Sequence, residues 1–325
     1  MQKHRFAIFW LISAGIFVRD ETSGAVVGPA QVAPAAVSAA DRPVAPTLEL
    51  QVELHRRGFS CGSIDGVRGE QTVAALRAFQ RRVGIADTGI EDAATQKCLV
   101  LSAPVLGEYA ITTADLAGLQ PVPDTWLEKS QMANLGYASA LELVSERYHA
   151  NPNLLRRLNP RVDWAAMLPG TKIVVPAVNR VVVSGSAAEI VILLGAHELE
   201  VVDSANRVIA QFPVSIARIV DKRPIGNLRI TTMVMNPDYT FDPDSYPESA
   251  EGKALGRSLL LPPGPNNPVG LAWIGLDRPG YGIHGTPEPE NVGRTESHGC
   301  FRLANWDALT LLGLVRLGMP VNVEP

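Results

Sequence analysis

Apolar and polar positions change period along the chain. Across residues 48–101 the spacing is helical: Leu50 and Leu54 share a face, and Val73, Leu76, Phe79 and Val83 recur at helical intervals. His55-Arg56-Arg57-Gly58 ends the first predicted helix with cations and a glycine, and residues 92–99 predict a shorter third helix. Across residues 108–178 the predicted order is strand, helix, helix, strand. The strands are 108–112 and 172–176; helix 140–149 has Leu141, Val144 and Tyr148 on one face, and a short helix 154–158 runs between two Asn-Pro breaks. After Arg180 the pattern becomes β-like. Residues 181–183, 190–194, 198–202 and 208–214 are β-branched runs, and residues 203–206 read as a hairpin connection. Near the end, Asn305 predicts a cap for helix 306–317, with Leu309, Leu312 and Val315 as its face. The fold class expected is multidomain α+β: a small three-helix module, a small βααβ module and a C-terminal mainly-β sandwich.

Composition narrows the class. A length of 325 residues, 46% of them hydrophobic, suffices for two or three cores at roughly 150 residues per domain. Net charge −4 and a pI near 5.9 speak against nucleic acid as a partner. Beyond the N-terminus no apolar run approaches the ~18 residues of a membrane-spanning helix. Lys3, His4 and Arg5 precede 13 uncharged, largely apolar residues, 6–18, the layout of an export signal or an N-terminal anchor within 1–23. Residues 24–46 carry eight alanines and four prolines against two charges, and so read as a linker. Ten of the 25 prolines lie between Pro237 and Glu290, which predicts a large shaped loop rather than regular structure. The three cysteines fit an exported protein with one disulfide and one free thiol. Cys61 and Cys98 fall in the small helical module, where a bridge would close a loop of about 38 residues and add roughly 4 kcal/mol.

The motifs then give the modules identities by resemblance. Gly62-x-Ile64-Asp65-Gly66-x-x-Gly69-x-x-Thr72-x-x-Ala75-Leu76-x-x-Phe79-Gln80 resembles the three-helix peptidoglycan-binding domain, assigned to residues 47–101. Residues 108–178, with Leu168-Pro169-Gly170-Thr171 leading into the last strand, are similar to a LysM domain, a glycan binder. They depart from it by an insertion of some 25 residues containing Trp126 and Tyr137. His284-Gly285-Thr286 followed by Ser297-His298-Gly299-Cys300-x-Arg302-Leu303 resembles the signature of the YkuD-type L,D-transpeptidase catalytic domain, assigned to residues 181–325. Residues 261–270 and Tyr281-Gly-Ile look like that family's approach loop. Its upstream pattern stands here as residues 223–230, with Arg223 and Leu228 at the departures.

A cysteine nucleophile needs a base within reach and a third group to orient that base. The resemblance implies Cys300 as nucleophile, His284 as general base and the Gly285 carbonyl as the group that orients it. His298, Gly299 and the Cys300 amide would line an oxyanion pocket. Arg302 would contact the donor stem, with Ser297, Tyr281 and Thr286 beside it. On an extended strand His298, Cys300 and Arg302 would share a face, and an adjacent imidazolium would lower the thiol into the ~3.5–7.5 range of activated cysteines. His284, His298 and Cys300 could also ligate zinc, but carboxylates and paired cysteines nearby are lacking. The chemistry requires no cofactor. The implied reaction is acyl transfer on peptidoglycan tetrapeptide stems, with release of D-alanine and formation of 3→3 cross-links. Acceptance by water or by a protein lysine stays open, as does a wall-binding protein with an inert C-terminal domain. Carbapenem-type inhibitors would acylate Cys300. The expected location is the periplasm or cell envelope.

Overall fold

The computed structural model describes residues 44–101, 103–178, 181–246, 248–294 and 299–325. The expected export segment and nearly all of the linker lie outside the described residues, as do Ser297 and His298.

The first module consists of α1 (Pro46–Arg56), α2 (Glu70–Val83) and α3 (Ala93–Cys98). Leu50, Leu54, Phe59, Leu76 and Phe79 form its core, and Val202 and Val208 of the C-terminal domain complete it. Gly84 ends α2 at φ 74°, the left-handed conformation that glycine adopts without strain. The expected disulfide is absent: Cys61 and Cys98 are both free, the first buried in this core and the second exposed at the end of α3. Arg57 makes the tie instead, donating to the Cys98 and Val100 carbonyls at 3.1 and 2.8 Å. Buried Thr95 holds α3 from its other face by accepting from Gln80 at 2.8 Å, so the helix turns Cys98 to solvent.

The second module pairs β1 (Leu106–Ala110) with β2 (Lys172–Pro176) antiparallel. Across them lie α6 (Ala140–Arg147) and α7 (Pro152–Leu158), giving the strand–helix–helix–strand order. The first strand ends earlier than the hydrophobic run suggests, because Thr112 leaves the ladder to cap α4 (Thr113–Ala117) in a reciprocal box with Asp115. The insertion consists of α4, α5 (Trp126–Ser130) and the segment up to Ser139.

These modules are packed, not strung out. Ile64 bridges Ala150, and Phe59 bridges Gln211 on the edge of the C-terminal sheet. A buried seam joins all three parts. His55 Nε2 and His149 Nδ1 are 2.7 Å apart, and His149 stacks on Trp306 with centroids 5.2 Å apart. Ser60 donates to Asp307 at 2.8 Å, and Asn305 donates to Glu146 at 3.1 Å.

The C-terminal domain is built on β3 (Glu189–Leu193), β4 (Glu198–Val202), β5 (Val208–Pro213), β6 (Gly226–Met235), β9 (Ala272–Leu276), β10 (Gly282–His284), β11 (Phe301–Arg302) and β12 (Pro320–Glu324). They form one eight-stranded sheet in the order β11-β10-β9-β6-β12-β3-β4-β5. It is a curled sheet rather than two stacked ones. Long β6 pairs with β12 through one half and β9 through the other, with its register shifting between Ile230 and Thr232. Ser215, just past β5, bridges Arg302 of β11, so the two ends of the sheet meet around a core containing Ile190, Ile192, Phe212, Ile283 and Phe301.

Residues 181–183 form no strand; Val182 N instead donates to the Arg56 carbonyl at 2.8 Å, spending the run on the seam. The proline-rich stretch is more regular than expected. It holds the hairpin of β7 (Tyr239–Phe241) and β8 (Leu259–Leu261), with α8 (Ala250–Leu255) between them. Helix α9 (Asn305–Leu314) starts without a side-chain cap, because the N-cap position falls on Ala304 and Asn305 is already the first helical residue.

Candidate active site

Strand pairing assembles the site. β10 and β11 run parallel, with Ile283 opposite Phe301 and His284 opposite Arg302. Ile283 and Phe301 are fully buried in the main core, so alternation turns His284 and Arg302 to the opposite face. Cys300, one step before β11, falls on that same face, packed against an apolar cluster that includes Phe241, Leu261 and Trp273. Its Sγ donates to the Gly280 carbonyl at 3.4 Å, and the Gly282 backbone hydrogen-bonds the sulfur.

Neighbouring backbone and rings fix the imidazole. The Gly285 carbonyl only accepts, so His284 Nδ1 carries the proton of their 2.6 Å bond, and Nε2 is left as the basic nitrogen. Trp273 of β9 stacks on the ring at 5.6 Å and 22°. Gly282 must lack a side chain, since a Cβ there would enter the Trp273 ring at 2.7 Å. Gly285 is equally constrained, because a Cβ would run into Asn305 Oδ1. That oxygen accepts from Leu271 N at 3.1 Å, while the Asn305 amide donates to Glu146 and to the Pro265 carbonyl at 3.1 and 3.2 Å. Asn305 therefore locks the turn carrying Gly285 to residues 265–271 and to the second module.

Burial favours the neutral form of both groups. Burial pulls His284 down to about 4, and the Arg302 charge acts in the same direction. Burial pushes the Cys300 thiol up to about 11, against the opposing effects of the Gly282 hydrogen bond and the Arg302 charge. Both shifts oppose the expected thiolate–imidazolium pair and favour a thiol and a neutral imidazole. The cause is the apolar wall around the sulfur, formed by Trp273, Phe241 and Leu261 among others.

That wall includes the insertion of the second module. Trp126 stacks on Phe241 with centroids 4.5 Å apart at 15°, and the N–H groups of Trp126 and Leu127 donate to the Glu251 carboxylate of α8 at 3.0 and 2.9 Å. Leu135 N donates to the Pro263 carbonyl at 2.9 Å, and the Leu135 carbonyl accepts from Asn266 N at 3.0 Å. The β7–β8 hairpin is braced from a segment more than a hundred residues away. The Tyr239 and Tyr246 hydroxyls meet at 2.7 Å; Cys300 and Arg302 both act electrostatically on Tyr246, and Cys300 on Tyr239.

Of the residues singled out from sequence, His284, Gly285, Cys300 and Arg302 come together, and Gly299 leads directly into Cys300. Thr286 is buried and accepts from Glu288 N at 3.3 Å, so its hydroxyl shapes the turn. Tyr281 lies under Arg278 at 4.7 Å. Sequence reading missed Trp273, Tyr239, Tyr246 and the Trp126 brace, and took Asn305 for a cap. An aromatic inside the strand-like run before the histidine was the available signal for Trp273.

Comparison with known proteins adds an independent line. Residues 187–323 match the family model YkuD, an L,D-transpeptidase catalytic domain, and residues 45–99 match a peptidoglycan binding domain model. A protein named L,D-transpeptidase YkuD from Bacillus licheniformis is 23% identical over 185 residues, covering 57% of this chain and 93% of that relative. One named L,D-transpeptidase YqjB from Bacillus subtilis is 31% identical over 123 residues, covering 36% of this chain and 61% of its own length. An L,D-transpeptidase structure from Xylanimonas cellulosilytica is 16% identical with a TM-score of 0.35, covering 86% of this chain and 92% of that one.

Proposed function

With residues 187–323 forming a YkuD-type L,D-transpeptidase catalytic domain and residues 45–99 a peptidoglycan-binding domain, we propose that this chain is an exported cell-wall enzyme that forms 3→3 peptidoglycan cross-links through a Cys300 thioester. The observation that carries the reading is the tautomer: Gly285 holds the Nδ1 proton, which leaves Nε2 of His284 free to take a proton on the face shared with Cys300.

In the first half-reaction Cys300 Sγ bonds to the carbonyl carbon of the third stem residue while its proton passes to His284 Nε2. The C–N bond to the terminal D-alanine breaks, and the imidazolium protonates the departing amine. In the second half-reaction the side-chain amine of a neighbouring stem attacks the thioester. It gives up a proton to His284, and that proton returns to sulfur as the C–S bond breaks. Because thiol and imidazole start neutral, proton transfer accompanies attack rather than preceding it. Arg302 offers a fork for a substrate carboxylate, and backbone N–H groups around Gly299 and Cys300 offer stabilisation of the oxyanion. The helical module, and the LysM-like order of the second module, suit a protein that holds wall polymer while the thiol works.

A carbapenem tests the nucleophile. Intact-mass measurement of the full chain should show one inhibitor mass added, lost in Cys300→Ala. No adduct, or an adduct that survives the substitution, overturns the assignment.

A further inference from the structure

A cleft of about 650 Å³ lies where the start of α2 faces the C-terminal sheet, lined among others by Gln71, His197, Gln211, Pro213 and Gly293. It involves none of the groups around Cys300. Gln211 is the informative residue. Its backbone is spent on the first module, accepting from Ser60 N at 2.8 Å and donating to the Gly58 carbonyl at 2.9 Å. It is 0% exposed, yet neither the amide oxygen nor the amide nitrogen has a hydrogen-bond partner among the described residues. At the start of the neighbouring strand β4, the buried Nδ1 of His197 also has no partner among the described residues. The N-terminus of the 14-residue α2 opens onto the same cleft, with Gly69 at its N-cap position and no side-chain cap. Buried polar groups are nearly always paired, and an apolar residue of similar size would sit in a sheet without this penalty.

Unpaired groups converging on one cleft describe the complement of a ligand. An acceptor and a donor side by side on Gln211 match the N–H and C=O of a secondary amide. The nearby charges are largely mutual: Arg68 pairs with Glu91 at 2.7 Å, and Arg81 and Arg77 act on Glu198. This favours a neutral ligand over an anion. Resting on the wall-substrate reading above, we propose that this cleft is a second binding site, for a secondary amide of peptidoglycan, supplied either by the acetamido group of the glycan or by the peptide backbone of a stem.

The cleft is tied to the catalytic segment. Gln71 Nε2 donates to the Val292 carbonyl at 2.7 Å, and Gly293 N donates to Ser215 Oγ at 2.9 Å. Ser215 in turn exchanges backbone hydrogen bonds with Arg302 at 2.9 and 3.0 Å. A ligand in the cleft thus rests on Gly293, which Ser215 ties to Arg302, and links wall capture by the first module to the strand beside the thiol.

The test uses the full chain with Cys300 already acylated by a carbapenem, so that the donor site is filled. Calorimetric titration with tetra-N-acetylchitotetraose and, separately, with a free stem tetrapeptide should give binding of one probe. That probe identifies the source of the amide. Gln211→Met and His197→Ala should each weaken the binding at least tenfold, and Gln211→Met should not lower the melting temperature, since it removes an orphaned amide. Binding of neither probe, or binding unchanged in both variants, overturns the proposal; a lowered melting temperature in Gln211→Met with unchanged affinity assigns Gln211 a structural role and also overturns it. If Gln211→Met does not fold, His197→Ala decides. Acylation is read by mass before titration, so failure of the cleft and failure of the catalytic reading are separate results.

Discussion

Burial of Cys300 makes a quantitative prediction about its reactivity. The attacking species is the thiolate, and with the thiol at about 11 its fraction at pH 7 is ~10⁻⁴. Alkylation by iodoacetamide, a small reagent that uses no catalytic base, should therefore rise about tenfold per pH unit and still be climbing at pH 10. Between pH 7 and pH 9 the expected gain is ~100-fold. A thiolate–imidazolium pair with a thiol below ~7.5 would gain no more than about fourfold over the same range. An ordinary exposed thiol near 8.5 would level off above pH 9. His284 enters as a control: already neutral above about pH 5, it should leave the alkylation profile unshifted when replaced by alanine, while carbapenem acylation falls sharply. The assay is mass spectrometry of the Cys300 peptide across pH 6–10, with Cys61 and Cys98 counted separately. A plateau at neutral pH would refute the neutral pair and the concerted proton transfer built on it.

The insertion brace predicts that Trp126→Ala, by removing a half-buried ring and its stack on Phe241, lowers the local opening energy of the hairpin by about 2 kcal/mol, or ~30-fold in amide exchange. Hydrogen exchange across residues 239–261 checks this, and unchanged protection contradicts the brace. Burial raises Asp307 to about 8, so the folded state keeps a proton that the unfolded chain loses near pH 4, and stability falls as pH rises between those values. Asp307→Asn should flatten the slope by up to ~1.4 kcal/mol per pH unit, read by urea unfolding from pH 6.5 to 8, above the range where buried His55 titrates. An identical slope in the variant means that Asp307 is ionised in the fold. With Cys61 and Cys98 unpaired, a denaturing, non-reducing thiol assay should count all three cysteines, and a count of one would restore the disulfide.

What could be read from the chain depended on how local the determinant is. The helical modules and the strands β3, β4 and β5 were legible because their periodicity spans contiguous residues, and the Asp203 turn announces itself by its composition. The candidate site residues were legible from short motifs that resemble a family signature: His284 and Gly285 adjoin, and Cys300 and Arg302 are two apart. The parallel pairing that brings those two short segments together has no sequence signal, nor does the closure of the sheet through Ser215. Asn305 shows why a local rule can mislead. It stands one residue past the cap position and serves a loop and a glutamate more than 150 residues away in sequence. The run 181–183 has strand composition but no edge to pair with, and becomes packing. The disulfide expectation came from compartment and cysteine count, which say that a bridge is permitted; the direction in which α3 turns Cys98 decides that it is not made. The insertion looked like a departure from a glycan-binding pattern, yet its aromatic residue forms part of the wall behind the thiol.

The account rests on Cys300 carrying an acyl group from one stem to another. Incubating the mature protein with purified disaccharide-tetrapeptide and separating the products by mass tests this most directly. The expected product is a dimer lighter than two monomers by one D-alanine, absent with Cys300→Ala and with His284→Ala. Tripeptide monomer alone would make water the acceptor and contradict cross-linking, and unchanged tetrapeptide would contradict the catalytic site itself.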